Sequence, residues 1–460
     1  MIAIKSIAAC ASITWATGLF CLNFLLFSGF AAAAIPIQTW TQPNGARVYL
    51  VESPAIAMVD VQIDFDAGGR RDPPAQIGLA SVTASMLGKG LRAEKGDAAL
   101  DENALSEAWA DLGAQFGASA GSDRLSFSLR SLTEPDLLGK AVALAARQIA
   151  EPAFPEAVWQ RERQKIEASM KEANTRPATL AGRAYNEAVF GSHPYGYEAT
   201  SQTLQRISVA DMRAAHTAGV VACRARISMV GAVTRAQADA MATRLLARLP
   251  QQACSTLPPL AAVAEVAPLL QPLEKRIAFD SAQAQVLMGQ PGYRRNDPDH
   301  FALFVGNYIL GGGGFVSRLT TEVREKRGLT YGVSSYFSPG LHAGSFTVGL
   351  QTRPDQAAQA LGVVRQVLGD FVTTGPTQAE LQGAKDNLIG GFALRIDSNR
   401  KLLDNIAAIA WNDLALDYLD TWTKQIDKVT LADIKAAFAR KVQPEKMVTV
   451  ILGAAPSQAQ

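Results

Sequence analysis

Apolar and polar positions alternate over residues 46–52 and 59–66, as expected of half-buried strands, and Gly68 and Gly69 close the second run. A compact apolar stretch at 78–90 reads as one short buried helix, and 98–113 as an amphipathic one. Strand patterns at 115–120 and 124–132 are followed by helical stretches at 135–150, 156–175 and 178–189. The segment Phe190-Gly-Ser-His-Pro-Tyr-Gly196 has the composition of a turn. Two short helices then lead to a strand at 224–231 and a returning helix at 235–249. Strands grouped early and helices grouped late make an α+β unit.

Residues 251–272 are rich in Pro, Ala and Gln, lack a period and read as a linker. Beyond them the pattern restarts. Strands are predicted at 276–279 and 285–290 and a helix at 298–310. The glycines 311–314 precede a helix at 316–326, strands at 329–337 and 345–351, a helical run to 440 and a last strand at 447–452. Ile207-Ser-Val-Ala-Asp-Met-Arg-Ala-Ala-His216 matches Val429-Thr-Leu-Ala-Asp-Ile-Lys-Ala-Ala-Phe438, and Arg226-Ile-Ser-Met-Val-Gly231 matches Val448-Thr-Val-Ile-Leu-Gly453. Both offsets are 222 residues (429 − 207 and 448 − 226). The expected architecture is therefore α+β, a tandem duplication with domains at 35–250 and 273–455. Each is a mainly antiparallel sheet packed by helices, and the two enclose a cleft like a clamshell.

Lys5 is the only charge in the first forty residues; an apolar run over 7–30 and then Ala31 to Ala34 follow it. This is the pattern of a secretory signal over 1–34, cleaved near Ala33 or Ala34, with a retained membrane anchor as the alternative. No later segment has the roughly 20 apolar residues of a membrane span. The mature chain is thus expected to be exported, to the periplasm in a Gram-negative host. Cys223 and Cys254 would then lie where a disulfide can form, and the sequence leaves open whether they are bridged or free. A formal net charge of +2 gives no electrostatic case for a nucleic-acid partner.

The stretch Gly78-Leu-Ala-Ser-Val-Thr-Ala-Ser-Met-Leu-Gly-Lys-Gly90 resembles the metal-binding helix of the pitrilysin/insulinase-type zinc metallopeptidases. There Gly-Leu-Ala is followed by His-x-x-Glu-His. The two histidine places hold Ser81 and Ser85, and the glutamate place holds Ala84. The family's third ligand, a glutamate on a later helix, falls at Ser169, with Glu167 two places away. Zinc requires imidazole, thiolate or carboxylate donors, usually three plus an open position for catalysis. All four places are neutral, so no metal is expected in this chain. His193, His216, His300 and His342 have no ligand spacing and read as surface or turn histidines.

The segment Phe315-Val-Ser-Arg-Leu-Thr-Thr-Glu-Val-Arg-Glu-Lys-Arg-Gly-Leu-Thr-Tyr331 resembles the same family's C-terminal substrate-binding segment. The resemblance makes Arg324 and Tyr331 a pair facing the metal across the cleft, donating to the scissile carbonyl. Gly328 would reverse the chain and place Tyr331 on the next strand. Arg318, Lys326 and Arg327 read as surface or helix-end charges. The glycines 311–314 lack the Gly-Lys-Ser/Thr ending of a P-loop and read as a close-approach loop.

With the metal half-site lost and the carbonyl-binding half-site kept, the resemblance implies a non-catalytic subunit of an exported heterodimeric zinc peptidase. Zinc would sit in a homologous partner subunit, and the substrate would be a peptide. A periplasmic peptide-binding or scaffold protein without a role in catalysis is the alternative. A weaker one is an active enzyme with relocated ligands.

Overall fold

A computed structural model describes residues 35–453 except Lys95; the expected signal over 1–34 lies outside the described residues. The strands are β1 (Gln38–Thr41), β2 (Arg47–Glu52), β3 (Met58–Phe65), β4 (Gln115–Ala120), β5 (Leu125–Leu132), β6 (Arg226–Gly231), β7 (Leu273–Ile277), β8 (Ala284–Pro291), β9 (Val333–Phe337), β10 (Ser345–Thr352) and β11 (Val448–Leu452). The helices of the first half are α1 (Leu79–Met86), α2 (Glu102–Asp111), α3 (Pro135–Ala150), α4 (Glu156–Ala173), α5 (Pro177–Phe190), α6 (Ser201–Gln205), α7 (Val209–Gly219) and α8 (Arg235–Leu246). Those of the second are α9 (His300–Asn307), α10 (Ala357–Thr374), α11 (Gln378–Gly390), α12 (Asn399–Trp411), α13 (Tyr418–Lys428) and α14 (Leu431–Lys441).

The strands form two sheets, β1-β2-β6-β3-β5-β4 and β7-β11-β8-β10-β9. Without β1 the two orders are equivalent. Each sheet is antiparallel except for one parallel pair at the same place, β2 with β6 and β7 with β11. The helices repeat at the spacing seen in the sequence. α3 and α10 begin at 135 and 357, α4 and α11 at 156 and 378, α5 and α12 at 177 and 399, α7 and α14 at 209 and 431, each pair 222 apart. The duplication expected from two short matches thus extends through the helical part of both halves. The described residues from Pro36 to Gly453 form one compact unit.

The halves exchange one helix each. α5 of the first packs on β8 and β11 of the second sheet, and its counterpart α12 packs on β6 and β3 of the first. Ala181, Tyr185 and Val189 meet Val448, Val450 and Leu452 in a small shared core. The Tyr185 hydroxyl donates to the Phe346 carbonyl (3.0 Å) and lies 2.9 Å from the Thr347 hydroxyl. On the other side Arg226 donates to the carbonyls of Ala410 and Trp411 (2.5 Å each) and stacks on the Trp411 ring.

This exchange corrects the expectation that 46–52 and 59–66 are half-buried. Val48, Leu50, Val59, Val61 and Ile63 are buried, and so are Asp60 and Asp64 between them. Over 59–66, α12 covers the face that alternation would leave to water. The two buried carboxylates keep partners, Asp60 with Arg130 (2.7 Å) and Asp64 with Arg124 (3.1 Å).

Other elements depart from the sequence pattern. β1 is short and only partly buried, so its pattern is weak; its register comes from pairing with β2. The strand expected at 276–279 lies at Leu273–Ile277, set by parallel pairing with β11. The helix expected over 316–326 is a 3-10 turn at Gly314–Val316 followed by wide π-type turns over Thr320–Glu325. Cys223 and Cys254 are bridged, with Cα atoms 5.6 Å apart. Closing that loop of 31 residues stabilises the fold by about 3–4 kcal/mol in the chain-entropy account.

Candidate functional site

α1 keeps the frame of a metal helix. Asp72 holds its start, accepting from the N–H groups of Gly78 (2.8 Å) and Ala80 (2.9 Å). Burial raises the Asp72 carboxyl to a pKa of about 6 despite these bonds. Leu79, Val82, Ala84 and Met86 pack into the first core. Ser81 and Ser85, four residues apart, lie exposed on the opposite face. Ser85 donates its hydroxyl to the Val82 carbonyl (2.8 Å). Ala84, the place of the general base, is turned to the core and 4% exposed.

α4 is tied beside the end of α1 by Lys89, which reaches Glu102 and Glu162 at 3.5 Å each. Ile166 and Met170 pack on the core, leaving Ala168 and Ser169 exposed. Glu167 accepts from Gln205 (3.4 Å). Hydroxyl and methyl groups at Ser81, Ala84, Ser85 and Ser169 do not fit zinc. Among the described residues no three His, Cys, Asp or Glu side chains cluster as metal ligands.

His193 begins the turn Pro194–Gly196, as expected of a turn histidine, while burial corrects the expectation of a surface place. His193, His216 and His342 are buried and His300 is partly buried. His193 accepts from the Tyr195 N–H at Nδ1 (3.1 Å), and its Nε2 lies 3.0 Å from the Ala264 carbonyl. His216 Nε2 lies 2.8 Å from the Ile149 carbonyl. Burial lowers His216 to about 4 and His300, bonded to the Tyr293 hydroxyl (3.0 Å), to about 3. His193, His216 and His300 are packing residues whose burial favours the neutral form. Sequence offers no sign of their burial because the covering groups lie far along the chain.

In the second half, the turn after Glu325 ends at Gly328, whose φ of +63° lets the chain reverse, as expected. Tyr331 then precedes β9 by two residues rather than standing on it. The Thr330 hydroxyl explains the bend: it donates to the Gln351 carbonyl (2.5 Å) and accepts from the Gly332 N–H (3.1 Å). The Arg324 guanidinium lies over the Tyr331 ring (4.9 Å) and over the Phe315 ring (4.7 Å). Phe315, Val316 and Tyr331 are 68%, 75% and 83% exposed, large exposures for apolar surface. Among the described residues Arg324 has no ion pair. Phe315 was not singled out from the sequence; it reaches Arg324 only through the intervening wide turns. No hydrogen bond, ion pair or ring contact among the described residues joins this cluster to Ser81, Ser85 or Ser169. Lys326 and Arg327 both reach Glu322 (2.7 Å), as helix-end charges do. Arg318 instead ties its turn to α11 through Glu380 (2.5 Å).

Residues 47–202 match the insulinase family (peptidase family M16), and 206–388 match the peptidase M16 inactive domain. The crystal structure of a peptidase M16 inactive domain from Pseudomonas fluorescens is 34% identical. The match covers 92% of this chain and 100% of that one, with a TM-score of 0.84. The chain belongs to the insulinase family, M16. A non-peptidase homolog, YmxG of Helicobacter pylori, is 25% identical over 430 residues, 90% of this chain and 94% of its own. An uncharacterized zinc protease of Streptomyces coelicolor is 34% identical over 179 residues, and the match spans only 38% of either chain. At the places where the sequence reading sets the family's metal ligands and general base, this M16 chain holds the neutral side chains of Ser81, Ser85, Ser169 and Ala84. Among the described residues no helix is long and apolar enough to cross a membrane.

Proposed function

We propose that this chain is the non-catalytic subunit of an exported zinc metallopeptidase. A homologous subunit bearing His-x-x-Glu-His holds the zinc, and this chain supplies Arg324 and Tyr331 to the carbonyl of a bound peptide. The supporting observation is the exposed pair itself. The guanidinium lies over two rings and, among the described residues, pairs with no carboxylate, so its N–H groups are free to donate. The reading carries with it a cleaved signal over 1–34, the division 35–250, 251–272 and 273–455, and a periplasmic location. The Cys223–Cys254 bridge suits an oxidising compartment.

The test is peptide cleavage by the full chain alone and mixed with its zinc-bearing homologue. The lone chain is expected to be inactive and the pair active. Arg324→Ala with Tyr331→Ala is expected to lower the pair's kcat by about 10²–10³-fold, the usual effect of losing oxyanion donors, with an unchanged melting temperature. Chelator-sensitive cleavage by the lone chain, or full activity of the doubly substituted pair, would overturn the proposal. A second reading, peptide binding or scaffolding without chemistry, draws on the exposed rings of Phe315 and Tyr331. Peptide binding that leaves every peptidase rate unchanged would favour it.

A further inference from the structure

Behind β9 the second half holds a cavity of about 620 Å³ between α9, α13 and the glycine turn, within the size range of ligand sites. Gly311 lets that turn lie against the strand; a Cβ there would fall 2.6 Å from the Ser335 nitrogen. Asn307 fastens the same point, donating to the Ser335 carbonyl (3.0 Å) and accepting from its hydroxyl (2.7 Å).

The lining is unusual in its charge. Arg295 and Arg395 both line the cavity, and among the described residues no carboxylate does. Arg395 lies over the rings of Trp422 (5.2 Å) and Phe304 (5.6 Å). Arg295 donates to the Tyr418 hydroxyl (2.7 Å) and lies over its ring (5.2 Å). Neither has an ion pair among the described residues. Two nearby carboxylates are committed elsewhere, Asp297 to Lys441 (2.5 Å) and Asp299 to Arg440 (2.6 Å). Other cavities mix their signs: arginines beside Glu322 and Glu380 in one, Arg47 and Arg226 beside Asp413 in another.

Two unneutralised guanidinium groups among Phe304, Phe337, Phe392 and Trp422 call for an anion attached to an apolar body, with polar groups to meet Asn307 and Ser334. We propose that this cavity binds the C-terminal residue of a peptide. Its α-carboxylate lies between Arg295 and Arg395, and its apolar side chain lies against the aromatic wall. The choice of a peptide over another apolar carboxylate rests on the peptide-handling function proposed above.

The test is calorimetric titration of the full chain with Ala-Ala-Ala-Ala-Leu-Phe as the free acid and as the C-terminal amide. The acid is expected to bind at least about tenfold more tightly, the effect of one charge-assisted hydrogen bond. Arg395→Ala and Arg295→Ala should each remove most of that difference, and Arg395→Glu should reverse it. Arg353→Ala, at a surface arginine paired with Asp355, should change nothing. Arg395 is exposed on a short turn, so its variants test binding without disturbing the core. Equal binding of acid and amide, no binding of either, or equal displacement by inorganic phosphate would each overturn the proposal. The lone chain suffices, so failure here leaves the Arg324–Tyr331 clamp standing, and failure of the clamp leaves this binding intact.

Discussion

α1 and the Arg324 cluster are opposite outcomes within one molecule. In α1 the buried face is complete: Leu79, Val82 and Met86 fill the core and Asp72 caps the start, while the exposed face bears only two hydroxyls. Around Arg324 the turn buries Val323 and Leu329, yet its outer side holds the cation against two exposed rings, with no carboxylate paired to it among the described residues. A helix is held by its apolar face, so its outer face can lose chemistry at little cost in stability. Exposed rings add little to a core, and their arrangement makes sense as a contact surface for something else.

The contrast can be broken or sharpened in several ways. The largest change should come from Ser81→His, Ala84→Glu, Ser85→His and Ser169→Glu together. If the frame is intact, metal analysis should show zinc rising to about one equivalent per chain, since three donors in this geometry suffice. No uptake would mean that the backbone has moved as well. Next is the fall of about 10²–10³-fold in the pair's kcat on removing Arg324 and Tyr331, whereas Ser81→Ala with Ser85→Ala should leave it unchanged. Asp72→Ala should cost about 1–2 kcal/mol in chemical denaturation, as loss of a helix-start acceptor does, with no effect on that rate in folded protein.

The smallest effects are pH slopes. Asp72 has a folded pKa of about 6, above the usual carboxylate value. The folded state therefore holds its proton more tightly, and this contribution to stability is lost as pH rises from the usual value toward 6. His216 runs the other way. Its folded pKa is about 4, below the usual 6.5, so stability is full above 6.5 and lost as pH falls toward 4. Melting temperatures of Asp72→Asn and His216→Gln should lose these two opposite slopes.

Much of this was legible in the chain. Two matches at one offset disclosed the duplication, because helices and strands in equivalent cores need the same apolar spacing. The neutral residues at 81, 84, 85 and 169 were legible too, because a ligand's chemistry lies in its own side chain. The spacing of Arg324, Gly328 and Tyr331 anticipated the reversal, since only the local backbone is involved.

What remained hidden depends on pairs of residues far apart. The exchange of α5 and α12 decided that the central strands are buried on both faces, and no strand records in its own sequence what covers it. Pairing across the fold likewise set β7 in register, joined Cys223 to Cys254, buried three histidines and brought Phe315 under Arg324. It also gathered Arg295 and Arg395 around one cavity. The sequence by itself fixed which side chains could do chemistry and where the chain repeats. Only the tertiary structure decided which groups meet and which are sealed from water, because burial and proximity belong to the whole packed chain and to no single segment of it.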